Sequence, residues 1–215
     1  SAAKEQGKIR VLGVTSHSLD MAVRLAESGL FGTIQFPFNF IETDAAERLH
    51  PLARRLGLGI IVMKPFAGGV IADAASAFAF LRQYPDAIPI PGLDSVEGVD
   101  QVTGFYERPN VVTDAARAEW ARVTAEVGQQ FCRRCEYCQP CPNGVMITPA
   151  MGYPIVARRM STEVAVNFAS RAMDTVPNCV ECGECEPRCP YELPIPAILA
   201  RNYALYSEHR AQLGR

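Results

Sequence analysis

The sequence predicts an α/β half barrel followed by a smaller, mainly α-helical domain. Three observations lead there. Residues 1–128 alternate strand-like and helix-like segments four times over. All eight cysteines fall between residues 132 and 189, with none before them. Four strand–helix units in a row require parallel strands joined by helical crossovers, and a closed TIM-type barrel needs twice that number. The expected division is therefore 1–128 for the half barrel and 129–215 for the cysteine domain.

Element by element, residues 9–15 form the first β-rich run. Ser18 then caps a helix that carries apolar Met21, Ala22 and Leu25. Residues 32–36 are the second strand, followed by a helix opening near Thr43 or Asp44 and ending before Gly57. The third strand is the apolar run 60–63. A Gly68-Gly69 turn and an alanine-rich helix ending near Gln83 follow it. The fourth strand, 87–90, leads through Gly92 to a helix that Asp94 or Ser95 caps. A further helix covers 113–129. Beyond residue 145, helices are expected over 154–160 and 161–173. The last begins at Pro196, a residue suited to a first helical position, with Ile198, Leu199, Tyr203 and Leu205 on one face. Left alone, the first and fourth strands expose unpaired N–H and C=O groups along two edges. That predicts that something else completes the sheet.

Bulk composition narrows the function classes. The 215 residues are 48% hydrophobic and 20% charged, with a net charge of -2, which gives no basis for nucleic-acid or membrane-surface binding. The longest apolar candidate, 57–81, is interrupted by Lys64 and Asp73, so no membrane span is expected. The opening residues lack the apolar stretch of a signal peptide, and a cytoplasmic setting is the expectation. The absence of an initial Met is what a piece of a longer protein would show. His50 and His209 are expected at the surface. His17 and Lys64 stand at strand ends, the functional side of a barrel, with a loop histidine and a solvated or phosphate-facing lysine as the plain alternatives.

The cysteines carry the chemistry. The first set is Cys132, Cys135, Cys138 and Cys141, and the second is Cys179, Cys182, Cys185 and Cys189. The second follows C-x2-C-x2-C-x3-C-P, the bacterial ferredoxin run. Two-residue gaps let a tight loop curl around one cubane, and inward backbone N–H groups raise its reduction potential. The proline after the fourth cysteine turns it away from the other three. In two-cluster ferredoxins that cysteine serves the other cluster. The expected sets are thus Cys132, Cys135, Cys138 and Cys189 for one [4Fe-4S] cluster, and Cys179, Cys182, Cys185 and Cys141 for the other. Structural zinc prefers separated CxxC pairs, disulfides need an oxidising compartment, and inert buried thiols do not cluster in this way. The second domain is accordingly ferredoxin-like, with two [4Fe-4S] clusters.

Segments 7–17, 34–39, 62–69 and 88–92, in that order ahead of the cysteines, resemble the last four strands of the aldo/keto reductase barrel. The cysteine domain, with its Cys-Pro-Asn-Gly and Cys-Pro-Tyr-Glu-Leu-Pro-Ile segments, looks like the C-terminal extension of that family's ferredoxin-containing branch. The resemblance implies a nicotinamide site at Ser16, His17 and Gln35, with His standing where the family has Asn. Met63 takes the place of the usual stacking aromatic residue, and Gly92, Ser95 and Gln101 fall where the adenosine phosphate would bind. No Arg or Lys lies between Gly92 and Phe105, so the implied nucleotide is NAD(P) without firm 2′-phosphate recognition. The family's catalytic Asp, Tyr, Lys and His belong to strands that this chain lacks, and its catalytic residues are unknown.

Three functions follow as expectations. The first is an iron–sulfur oxidoreductase subunit or fragment of aldo/keto reductase type. Its missing residues would come from an N-terminal half, another chain or a second copy, and an electron donor or acceptor protein would serve it. The second is a non-enzymatic ferredoxin-like electron-transfer protein with a docking half barrel. The third treats the clusters as structural staples or redox sensors.

Overall fold

Four short strands define the N-terminal part: β1 (Gly13–Thr15), β2 (Thr33–Pro37), β3 (Gly59–Met63) and β4 (Ala87–Pro89). They form one sheet in chain order, each parallel to the next. This computed structural model describes residues 2–127 and 131–214. It divides into two compact units, Ser1–Gln129 and Gln130–Arg215. β1 is shorter than the run 9–15 because its partner begins only at Thr33, opposite Gly13. A short helix, α1 (Ala2–Glu5), precedes it and has no counterpart in the sequence reading.

Local chemistry sets the helix ends. α2 (Leu19–Glu27) starts at Ser18, whose hydroxyl accepts from the Met21 N–H at 3.4 Å. Its buried stripe is Ala22 and Ala26, while Met21 points to solvent. The helix expected from Thr43 or Asp44 is instead a 3-10 turn, Asp44–Ala46, followed by α3 (Leu49–Leu56). Pro51 explains the break: in a helix running from Asp44 its ring would strike a carbonyl one turn earlier, whereas in the first turn of α3 it is tolerated. Gly57, at φ 69°, ends α3 in the left-handed region. Asp73 caps α4 (Ala74–Leu81), accepting from the Ala75 and Ser76 N–H groups at 3.1 Å each. Of the two candidates for α5 (Val96–Tyr106), Ser95 is the cap, accepting from the Gly98 N–H at 3.1 Å. α6 (Asp114–Val127) is tied to α4 by the Trp120 indole, which donates to the Ser76 carbonyl at 3.1 Å.

The two faces of the sheet differ. Ile34, Ile60 and Ala87 stand in register with Val14 on one face, and Val62 lies on the same side. Ile34, Ile60, Val62 and Ala87 are buried, with α2 packed on β2 and α3 on β3. On the other face Thr15, Gln35, Ile61 and Ile88 form a row. Ile88 there is 64% exposed, Gln35 and Ile61 are only half-buried, and Thr15 is exposed. Purely parallel sheets are ordinarily covered on both faces. Here the described residues cover one fully and the other only at its C-terminal end, where Pro37 and Met63 are buried. His50, expected at the surface, is 1% exposed, packed against the Phe38 ring at 4.6 Å between centroids. It falls on the inner stripe of α3 with Leu49, Leu52 and Ala53.

The second unit is helical: α7 (Ile147–Met151), α8 (Tyr153–Arg159), α9 (Thr162–Met173), a 3-10 turn at Val176–Asn178, and α10 (Ile195–Gln212). α7 escaped the sequence reading. Its Pro149 looks like a breaker but sits in the first turn, where a missing N–H is harmless. α10 opens one residue before Pro196, and its buried stripe is Ile195, Ile198, Leu199, Asn202 and Tyr206. Tyr203 and Leu205 are only partly buried. Asn202 takes a core position because its amide donates to the Ala150 and Met151 carbonyls, both at 3.1 Å. Those carbonyls lie at the end of α7, where helical partners run out. His209, also expected at the surface, is half-buried, with Nδ1 2.8 Å from the Tyr153 hydroxyl.

Candidate metal centre

The two cysteine segments adopt one backbone path twice. In each, the second residue of the first C-x-x-C gap and the first residue of the next gap are left-handed. These are Arg134 (φ 55°) and Glu136 (φ 65°) in the first segment, Glu181 (φ 53°) and Gly183 (φ 75°) in the second. The third residue after each last cysteine is left-handed too, Gly144 at 72° and Glu192 at 50°. Matching turns close alike. Gln139 and Glu186 donate to the Glu136 and Gly183 carbonyls at 3.0 Å, and Gly144 and Glu192 to those of Cys141 and Cys189 at 3.1 Å. Left-handed residues set in tight turns rotate successive N–H groups towards one side, the geometry of an anion nest. One such group, the Arg134 N–H, donates to the Cys132 sulfur at 3.4 Å. The extra residue of the second segment, Arg188, donates to the Glu184 carbonyl at 2.9 Å and the Pro140 carbonyl at 3.1 Å. It thereby fastens one segment to the other.

This doubled path gathers the thiols around two cavities. One, open to solvent, spans about 310 Å³ and is lined by Cys132, Cys135, Cys138 and Cys189, with Arg133, Thr148 and Tyr191 beside them. The second, also open to solvent, spans about 350 Å³ and is lined by Cys141, Cys179, Cys182 and Cys185, with Pro142, Val180 and Arg188. Each cavity thus takes three cysteines from one segment and the fourth from the other. All eight are free thiols. They ring the cavities rather than converge on a point: among the described residues no three His, Cys, Asp or Glu stand close enough to hold a single metal ion. A group with several metal atoms, each taking one thiolate, fits that spacing.

Electrostatics bear on loading. Burial pushes the Cys132 and Cys138 thiols above the ordinary thiol range, and that of Cys185 to about 11. These three thiols therefore keep their protons until metal displaces them, and metal uptake at them releases protons. The Thr148 hydroxyl lies 4.0 Å from the Cys138 sulfur, within reach of a weak hydrogen bond.

The residues implied for a nicotinamide lie in the first unit. Ser16 and His17 follow β1 and Met63 ends β3, on the side where parallel sheets bind ligands, while Gln35 lies at the middle of β2 opposite Thr15. The Ser16 hydroxyl is buried and engaged in its own turn, donating to the Ser18 carbonyl at 3.0 Å and accepting from the Ser18 N–H at 3.1 Å. The Gln35 amide reaches the Met63 sulfur at 3.7 Å, and the Thr15 hydroxyl reaches it at 3.9 Å. Burial, and then the Lys64 charge, lower the His17 pKa to about 4, so its ring is neutral at pH 7. Gly92 and Ser95 are exposed after β4, and the Ser95 hydroxyl is occupied as the α5 cap. Sequence reasoning missed the backbone just past β3. Lys64 (φ 57°) and Ala67 (φ 48°) are left-handed without being glycine. The buried Asn39 amide braces this loop, donating to the Lys64 carbonyl at 3.1 Å. Strained backbone of that kind collects at functional sites.

No helix among the described residues is long and apolar enough to cross a membrane. A protein-family model described as a 4Fe-4S dicluster domain matches residues 131–194, the stretch that holds every cysteine of the chain. By that match, residues 131–194 are similar to the 4Fe-4S dicluster domain, a carrier of iron–sulfur clusters for electron transfer.

Proposed function

We propose that this chain is an iron–sulfur oxidoreductase subunit or fragment of aldo/keto reductase type, whose eight cysteines hold two [4Fe-4S] clusters. The observation that carries the reading is the pair of four-cysteine cavities inside the stretch matched by the dicluster model. Cys132, Cys135, Cys138 and Cys189 hold one cluster, and Cys141, Cys179, Cys182 and Cys185 the other. When bound, each cluster supplies one-electron transfer. The cysteines would deprotonate to ligate it, the Arg134 N–H already donates to the Cys132 sulfur, and Ile147, which lines both cavities, would limit water there.

Oxidoreductase rather than stand-alone electron carrier is favoured by the first unit. Its parallel sheet leaves one face largely uncovered and two edge strands unpaired among the described residues. A missing half barrel, from an N-terminal segment or another chain, would cover that face and supply the acid–base residues. Ser16, His17, Gln35 and Met63, with Gly92 and Ser95 after β4, are then the contacts offered to NAD(P). A non-enzymatic ferredoxin-like carrier with a docking half barrel is the competing reading.

Anaerobic reconstitution tests the first claim: iron and labile sulfide near eight of each per chain are expected from two cubanes, and a count near zero refutes it. Titration with NAD(H) and NADP(H) separates enzyme from carrier. Saturable binding by the chain together with its completing half supports the oxidoreductase, and none supports the carrier.

A further inference from the structure

The two cysteine segments share one backbone path, so a position where they differ in kind is informative. The residue after the first cysteine is Arg133 in one segment and Val180 in the other. Val180 is 67% exposed, whereas Arg133 is 6% exposed. The Arg133 guanidinium lies between two rings, 3.9 Å from the Phe131 centroid and 4.4 Å from that of Tyr191, and donates to the Phe131 carbonyl at 2.9 Å. It lines the cavity of Cys132, Cys135, Cys138 and Cys189. The other cavity also has an arginine, Arg188, but that side chain is half-exposed and spends its donors on the Glu184 and Pro140 carbonyls.

We propose that Arg133 raises the reduction potential of the cavity formed by Cys132, Cys135, Cys138 and Cys189, making it the site where the electron rests. The inference builds on the two-cluster reading. Uptake of one electron makes the group and its four thiolates one unit more negative, and no bond forms or breaks. A nearby cation stabilises that reduced state, and it does so most where water cannot screen it. A guanidinium cannot shed its proton in a protein, so the charge is permanent. The ring clamp holds it in place beside the cavity. Each cavity also has exposed carboxylates beside it, Glu136 at the first and Glu181 and Glu184 near the second, and these act through solvent and count for less than the buried guanidinium.

The test is an anaerobic redox titration followed by electron paramagnetic resonance on the reconstituted full chain, comparing wild type with R133M, R133Q and R133K. In R133M and R133Q the higher of the two wild-type midpoints is expected to fall, with at least a tenfold lower reduced-to-oxidised ratio at a fixed poise, about 59 mV for one electron. The lower midpoint should move less, and R133K should stay near wild type. Unchanged midpoints in iron-replete R133M and R133Q overturn the proposal, as does a shift confined to the lower midpoint. Loss of iron from both neutral variants makes Arg133 a structural clamp and overturns it equally. A wild-type chain that takes up no iron and sulfide refutes the two-cluster reading instead, before Arg133 is reached.

Discussion

Gly183 offers the sharpest test of the loop geometry. It is left-handed at φ 75°, and a Cβ added there meets only the Glu186 carboxylate oxygen at 4.0 Å. Nothing crowds the site, so Gly183→Ala isolates the cost of the backbone conformation itself. For an L-residue in the left-handed region that cost is about 1–2 kcal/mol. Glu136 holds the equivalent place in the first segment at φ 65° and already bears it. Glu136→Gly should therefore gain stability, less the extra unfolded-state freedom of glycine, for a net of about 0.5–1 kcal/mol. Gly104 supplies a control of opposite sign, since it lies inside α5, has open space around its Cβ position and has no positive φ. Alanine there should stabilise by about 0.5–1 kcal/mol. The single tryptophan, Trp120, reports the first unit by fluorescence, and loss of cluster absorbance in urea reports the second. An unchanged cluster midpoint in Gly183→Ala would refute the reasoning, and so would Glu136→Gly falling as far as Gly183→Ala.

Acid should weaken the first unit through His50. Its pKa is lowered to about 4 by burial and then by the Arg54 charge, so below pH 6.5 the unfolded chain takes a proton that the folded chain refuses. Stability is then lost as pH falls from about 6.5 to about 4, by about 3 kcal/mol in all, with no effect above that window. His50→Phe should flatten the Trp120 unfolding midpoint over this range, and parallel acid curves for the two proteins would contradict the assignment. The crossed cysteine sets make a pairwise prediction: Cys132→Ser with Cys189→Ser should leave about half the iron, whereas Cys179→Ser with Cys189→Ser should leave almost none. The reverse pattern in iron assays would uncross the sets. Ile88→Glu should barely change the chain's own stability, since the side chain is 64% exposed, yet it should abolish assembly with a completing half barrel in size-exclusion chromatography. Assembly at wild-type affinity would count against the uncovered face as an interface.

The alternation of strand-like and helix-like segments made the four parallel strands legible, most plainly at β3, whose Ile60, Ile61, Val62 and Met63 run is unbroken. Caps were legible where a single side chain decides, as at Ser18, although Asp94 and Ser95 could be separated only by geometry. Pro51 and Pro149 misled in opposite directions. One restarts a helix expected to be continuous, and the other hides a short helix by resting in its first turn. Burial of His50 and Asn202 was not legible. Each is polar by type but occupies an inner stripe whose phase emerges only once the helix has a partner. The end of the predicted helix at Gln129 lies outside the described residues. For the candidate site, cysteine spacing carried the grouping. The left-handed residues at Arg134, Glu136, Glu181 and Glu192 left no trace, because none is the glycine that such a conformation ordinarily selects.

The uncovered sheet face gains meaning from its chemistry along the strands. Its first row is Gly13, Thr33 and Gly59, and the next is Thr15, Gln35, Ile61 and Ile88. A Cβ on Gly13 would meet the Thr33 hydroxyl at 2.3 Å, and one on Gly59 would come within 3.2 Å of the Thr33 methyl. The small residues there answer to contact within the sheet. Across the second row the character changes from polar at β1 and β2 to apolar at β3 and β4. A face built only for water would not place Ile61 beside Ile88, and a face built only for a dry core would not place Thr15 beside Gln35. Covered by the other half of a barrel, the apolar part would join a packed interior. The polar part, whose Thr15 hydroxyl and Gln35 amide both reach the Met63 sulfur, would sit towards the mouth where parallel barrels bind their ligands. That division favours a completed barrel over a docking surface, because docking requires only the apolar part.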